Sequence, residues 1–243
     1  MSGHDGERIL DYGCGPGHDL VGVLEHSRPG PLVGADVSPT ALAIAARRVL
    51  LHLGGSEVVF AGPVDGSRLL TSDCTQFDYS HSSGVLRHIE DPRSVLLESK
   101  KLLAPGGRIR LMVYNRDSIW RNFYVPDVLQ RRRNAIGQEV DLDEAFWMST
   151  DGPNRPVARS YDARSLNALA TEASFRCDVI GVSLSQLELR IWRDYRGAAG
   201  RDRRTPPSVR RFMETVVMDE SGLPLDASGN RPGINLVVEF RHA

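Results

Sequence analysis

The sequence predicts an α/β fold, a doubly wound and mostly parallel sheet wrapped by helices. Three observations carry that expectation. Short apolar runs alternate with helical patterns through the first half of the 243 residues, which is how strand–helix–strand units read. A glycine turn, Gly13 to Gly17, separates the first apolar run from the first helical one. The pairs Ser38-Pro39 and Asp91-Pro92 each mark a helix start: the first residue can accept from the free backbone N–H groups, and proline needs no N–H in the first helical turn.

The elements follow in order. Glu7 to Tyr12 is the first strand, and the glycine turn leads into a helix ending near His26. Leu32 to Asp36 is the second strand. The helix opened by Ser38 runs through Leu51, and Gly54-Gly55 stops it, glycine being suited to a left-handed cap. Val58 to Ala61 and Phe77 to Ser82 are the third and fourth strands. The helix opened by Asp91 reaches Leu103, where Ala104-Pro105-Gly106-Gly107 turns into a fifth strand, Arg108 to Tyr114. Beyond it, Asp117 to Arg133 and Leu142 to Met148 read as helical, and Ser149 to Ser160 as a loop because of Gly152-Pro153 and Pro156. A helix from Asp162 to Ala173 precedes a strand from Cys177 to Ser183, and the last strand is Ile234 to Arg241. Between those two strands lie about fifty residues with one convincing helix, Pro207 to Val217, a length usual for a functional insertion.

We expect one domain over residues 1–243, with a core at 7–114, an insertion at 115–161 and a C-terminal part at 162–243 carrying a lid-like insertion at 184–231. The 41% hydrophobic and 25% charged residues are those of an ordinary soluble chain. No apolar run approaches the roughly 18 residues of a membrane span. Met1 to Glu7 lack the features of a secretory leader, so a cytoplasmic location is expected. Cys14, Cys74 and Cys177 are odd in number and widely spaced, which argues for reduced thiols and no structural metal. The net charge of -1 argues against a dedicated nucleic-acid binder. All but two of the 30 basic residues are arginine, a codon-usage signature or, in the runs Arg131 to Arg133 and Arg201 to Arg211, a cationic rim for an anionic substrate.

The strongest chemical signal is Asp11-Tyr12-Gly13-Cys14-Gly15-Pro16-Gly17. Glycines after a strand let the backbone turn sharply and approach a ligand closely, and the following helix points free N–H groups at it. Asp36 ends the second strand 19 residues after Gly17, where a carboxylate can accept both hydroxyls of a ribose.

These residues resemble the class I S-adenosylmethionine-dependent methyltransferases. Asp11, Gly13, Gly15 and Gly17 match the family's first motif, Asp36 its ribose acid, and Leu102 to Gly107 its turn into the fifth strand. Gly84-Val85-Leu86-Arg87-His88-Ile89-Glu90-Asp91-Pro92 is similar to the Val-Leu-His-His-x-x-Asp-Pro stretch of the ubiquinone and menaquinone branch, with Arg87 replacing the first histidine. The resemblance implies a seven-stranded Rossmann-like sheet, S-adenosylmethionine as cofactor and S-adenosylhomocysteine as product. It implies a small-molecule acceptor, and neither nucleic acid nor membrane as partner. The cofactor set is Asp11, Gly13, Cys14, Gly15, Gly17, Asp36, Val37, Ser82 and Ser83, with Asp65 as the provisional partner of the adenine amine. His88 is the candidate base, against a capping or packing role. Tyr114, Asn115, Asp117, Arg121, Asn154 and Tyr161 are the expected acceptor-side residues. The family's helices before the first motif are nearly missing here, so the chain's own insertions, or else a homodimer partner, must cover the cofactor. An NAD-dependent dehydrogenase is the weaker alternative, because the last glycine of its fingerprint would fall on His18. A subunit that binds the cofactor without turnover is the other alternative.

Overall fold

Nine strands and eight α-helices are built by the described residues of a computed structural model, which are 3–54, 58–62, 76–139, 141–154 and 157–243. In chain order these are β1 (Ile9–Tyr12), α1 (His18–His26), β2 (Leu32–Ala35), α2 (Pro39–Leu53), β3 (Val58–Ala61) and β4 (Phe77–Ser83). A 3-10 turn (Leu86–His88), α3 (Pro92–Leu102) and β5 (Leu103–Tyr114) follow. Then come a π-helical segment (Trp120–Leu129), α4 (Gln130–Arg132), α5 (Leu142–Thr150), α6 (Ala163–Glu172), β6 (Phe175–Ser183), α7 (Gln186–Arg201) and α8 (Pro207–Thr215). β7 (Val217–Met218), β8 (Pro224–Leu225) and β9 (Asn235–His242) complete the chain. Seven strands form one mostly parallel sheet in the order β3-β2-β1-β4-β5-β9-β6, as expected, and β7 pairs with β8 in a small hairpin. Asp65 and Cys74 lie outside the described residues.

By its internal contacts the chain forms two compact units. The first comprises Met1–Met112, Ala163–Val179 and Val238–Ala243. Alternate residues of β1 and β2 point to opposite faces of the sheet, as a period of two requires. On one face Ile9 and Leu32 pack with Leu20 and Val23 of α1, Ala45 and Val49 of α2, and Tyr79. Leu10, Tyr12, Val33 and Ala35 make a separate core with Phe77 and Val95. The caps are those expected: Ser38 Oγ accepts from Ala41 N at 3.2 Å, Asp91 Oδ1 accepts from Ser94 N at 3.1 Å, and Gly54 closes α2 at φ 66°.

The second unit comprises Val113–Asp162 and Ile180–Val237. Its core is Ile119, Phe123, Val128, Ile191, Trp192, Ala199 and Val209, so Phe123 serves packing. Arg131, one of the arginines of the expected rim, is engaged in an ion network. It donates to both oxygens of the fully buried Asp127, at 2.7 and 2.9 Å, to Asp202 at 2.6 Å and to Thr205 at 2.8 Å.

Three expectations change. The turn at 104–107 lies within the bounds of β5: Phe77 pairs with Leu103 and Tyr79 with Arg108, so these residues make an excursion opposite Asp78, with Gly106 at φ 78°. The helix expected from Asp117 starts at Trp120 and is π-helical over ten residues with Pro126 inside, where proline removes a backbone donor. α7 adds a second helix to the insertion between the last two strands, and its start is marked by a full capping box between Ser185 and Glu188. Among the described residues no helix is long and apolar enough to cross a membrane.

Candidate active site

The glycine loop is tied to the end of β2 by three backbone donors, and a fourth, Ser38 N, orients the Asp36 carboxylate. Gly13 and Cys14 N–H both donate to Ala35 O, at 2.7 and 3.0 Å, and the Asp36 carboxylate accepts from Gly15 N at 2.9 Å and Ser38 N at 2.8 Å. Arg48 of α2 holds the loop from outside, its Nε donating to Pro16 O at 2.8 Å. Asp36 therefore fixes the loop as well as standing at the strand end. Each of its oxygens keeps a second lone pair for a ligand hydroxyl.

The three glycines are needed for different reasons. All have positive φ, 76°, 52° and 81° for Gly13, Gly15 and Gly17. A Cβ on Gly13 would fall on the Val85 side chain, and one on Gly17 would sit 2.9 Å from Ala45 Cβ and 3.0 Å from its Cα. Gly13 and Gly17 thus let the loop pack on its own fold. A Cβ on Gly15 would meet nothing within 4 Å; this glycine faces open space, the place for a closely approaching ligand. Gly17 caps α1 with no side-chain acceptor for the helix N–H groups, which remain directed at that space.

Asp11, on β1, is only 4% exposed, and its Oδ2 is buried without a hydrogen-bond partner. Burial pushes its pKa up to about 7; the nearby His81 works against the rise, and the Asp19 and Asp36 carboxylates add to it. His81 is the in-register neighbour of Asp11 on β4. Its Nε2 lies 3.1 Å from Asp19 Oδ2 and its Nδ1 3.2 Å from Tyr79 Oη. The contact with His81 is the main reason the Asp19 carboxyl is held below its ordinary range. His81 and Asp19 escape a reading of the sequence, because the contact depends on β1 and β4 being sheet neighbours. Burial, with Asp11 and Asp36 beside it, pushes the Cys14 thiol up to about 12, so Cys14 is a neutral wall. Val37, just after Asp36, is 61% exposed, an apolar surface beside the candidate ribose acid. Ser82 Oγ donates to Tyr12 O at 2.9 Å and braces β1; Ser83, half-buried, ends β4. Half-buried His88 ends the 3-10 turn, with Arg87 Nε donating to its Nε2 at 2.9 Å.

The acceptor-side residues belong to the second unit. Tyr114, Asn115, Asp117 and Tyr161 are brought together by a parallel bridge between Asn115 and Tyr161, and Tyr114 Oη donates to Asp151 at 3.0 Å. Asn115 is 4% exposed and spent within the fold: its Nδ2 donates to Gly233 O at 2.9 Å and its Oδ1 accepts from Asp117 N at 3.0 Å. It positions Asp117, whose carboxyl is raised by burial and by the Asp162 and Asp226 charges. Arg121 is engaged by Asp143 at 2.7 Å, and Asn154 stands exposed in its loop.

A buried carboxylate oxygen lacking a donor, on the strand that leads into a glycine opening onto space, suits a ligand bearing an ammonium group. Three carboxylates around the loop favour a net cation. S-adenosylmethionine, with an ammonium, a ribose and a sulfonium, fits this donor and acceptor set.

Comparison with known proteins agrees. Residues 10–109 match the methyltransferase domain family. The chain is 36% identical over 121 residues to the mitochondrial ubiquinone biosynthesis O-methyltransferase of Schizosaccharomyces pombe, covering 48% of this chain and 41% of that one. It is 29% identical over 183 residues to an uncharacterized 37.1 kDa protein in transposon TN4556 of Streptomyces fradiae, covering 67% of this chain and 50% of that one. The chain spans about half the length of the curated relatives it matches. In fold it is similar to an S-adenosylmethionine-dependent methyltransferase from Mesorhizobium loti, with a TM-score of 0.58 and 20% identity over 99% of this chain and 94% of that one. Residues 10–109 thus match a methyltransferase domain, and the sheet order and glycine loop of the chain are similar to those of the class I S-adenosylmethionine-dependent methyltransferases.

Proposed function

We propose that the chain transfers the methyl group of S-adenosylmethionine to a small-molecule acceptor in a biosynthetic pathway. The observation that carries this reading is the buried, unpartnered Oδ2 of Asp11 on β1, the strand that leads into the loop opening at Gly15. A buried carboxylate without a donor is costly to keep, and a cofactor ammonium supplies the missing donor. Asp36 accepts the ribose hydroxyls, Val37 offers apolar surface beside them, and the backbone at Gly15 lets the ligand come close. When bound, S-adenosylmethionine supplies an activated methyl that leaves sulfur by direct displacement. The protein's task is to bind, orient and exclude water, an orientation effect that can lower a barrier by several kcal/mol. The O-methyltransferase relatives support oxygen as the acceptor atom. Tyr114, Asp117 and Tyr161 are the proposed acceptor-side residues.

Asp36→Ala tests the ribose assignment. It removes charge-assisted hydrogen bonds worth about 1.5 to 3 kcal/mol, so calorimetry with S-adenosylhomocysteine should show an affinity roughly ten- to a hundredfold weaker. Affinity equal to the parent's would remove Asp36 from the site.

A further inference from the structure

We propose that Arg87 is a positioning residue that fixes the proton of His88 on Nδ1, so that His88 donates a hydrogen bond and does not act as a base. The tautomer follows from donor chemistry. Arg87 Nε lies 2.9 Å from His88 Nε2. A guanidinium only donates and stays charged at any working pH, so Nε2 is the acceptor. A neutral imidazole has one acceptor and one donor nitrogen, and the hydrogen bond at one sets the proton on the other. The local backbone supports the geometry. The 3-10 turn is closed by His88 N–H donating to Val85 O at 2.9 Å. Gly84, at φ 73°, lies beside the guanidinium: a Cβ there would be 3.5 Å from Arg87 Cζ and Nη1.

This deepens the methyl-transfer reading and rests on it only for its consequence. To take a proton at Nε2, His88 would have to turn an N–H toward the Arg87 N–H and place a second cation beside the first. The acceptor therefore reacts without giving a proton to His88. Its lone pair forms the bond to the methyl carbon while the carbon–sulfur bond breaks and that electron pair stays on sulfur. This selects acceptors whose reacting atom is already unprotonated, such as a carboxylate or an ionised phenol, next to a fixed positive charge.

The test is long-range proton–nitrogen NMR on the nitrogen-15-labelled chain, recorded across a series of neutral to alkaline pH values. His88 is assigned by the ring signals lost in His88→Gln. The expected spectrum shows Nδ1 protonated and Nε2 bare, with Arg87→Met making Nε2–H the major form. The proposal is overturned if the wild-type ring carries its proton on Nε2, or if a folded Arg87→Met leaves the tautomer unchanged. Should Arg87→Met not fold, the wild-type spectrum decides alone. None of these readings needs cofactor or acceptor, so they stand apart from a failure of the methyl-transfer reading, which calorimetry would register.

Discussion

Asp11→Asn should make the ligand-free protein more stable at neutral and alkaline pH while removing its cofactor affinity. The folded-state pKa of Asp11, about 7, lies above the ordinary 3.8. The folded chain thus holds this proton more tightly than the unfolded one, and stability falls as pH rises from about 4 to about 7. Above that window the ionised carboxylate costs up to about 4 kcal/mol. The asparagine amide is still buried and short of a partner, which offsets roughly half of that gain. A net increase of about 2 kcal/mol corresponds to roughly 4–8 °C in Tm for a chain of this size. The difference should be largest near pH 8 and should change sign as pH falls toward about 4, where the parent carboxyl is protonated in both states and only the asparagine's own cost of about 2 kcal/mol remains. A parent as stable as the variant at every pH would mean that Asp11 is not strained in the free protein.

The glycine loop provides the second large effect, as a contrast between neighbours. Gly13→Ala forces a Cβ onto Val85, a branched side chain with little rotamer freedom, at a positive φ. Backbone strain of about 1–2 kcal/mol and overpacking of about 1–3 kcal/mol should add to a loss of roughly 2–5 kcal/mol. Gly15→Ala puts its methyl group into open space, so only the backbone cost of about 1–2 kcal/mol applies. Cofactor affinity should nevertheless collapse, because the methyl occupies the side the ligand must approach. Chemical denaturation and calorimetry on the two variants separate packing from binding. Equal loss of stability in both would end the distinction.

What the sequence makes legible is what short-range chemistry determines. The strand–glycine–helix unit around Gly13, Gly15 and Gly17, the acid at Asp36 and the caps at Ser38 and Asp91 are all local patterns, and they fix half the sheet. α7 was equally local through its Ser185–Glu188 box, but the glycines and arginines of the insertion masked it. The state of Asp11 was not legible. Its burial and its neighbour His81 depend on β2 and β4 flanking β1, which sequence adjacency does not reveal. Asn115 and Arg121 look available for a substrate along the chain, whereas the fold engages them with Gly233 and Asp143. Arg87 reads as a lost histidine along the chain, and its contact with His88 Nε2 becomes visible in the fold.

The most direct measurement is a calorimetric titration of the full chain with S-adenosylhomocysteine at about pH 6, in two buffers of different ionisation enthalpy. One site per chain should bind, with release of close to one proton as Asp11 ionises against the ligand ammonium, and Asp11→Asn should abolish the signal. Absence of binding, or undiminished binding by Asp11→Asn, would contradict a cofactor site built on the buried carboxylate at the end of the first strand.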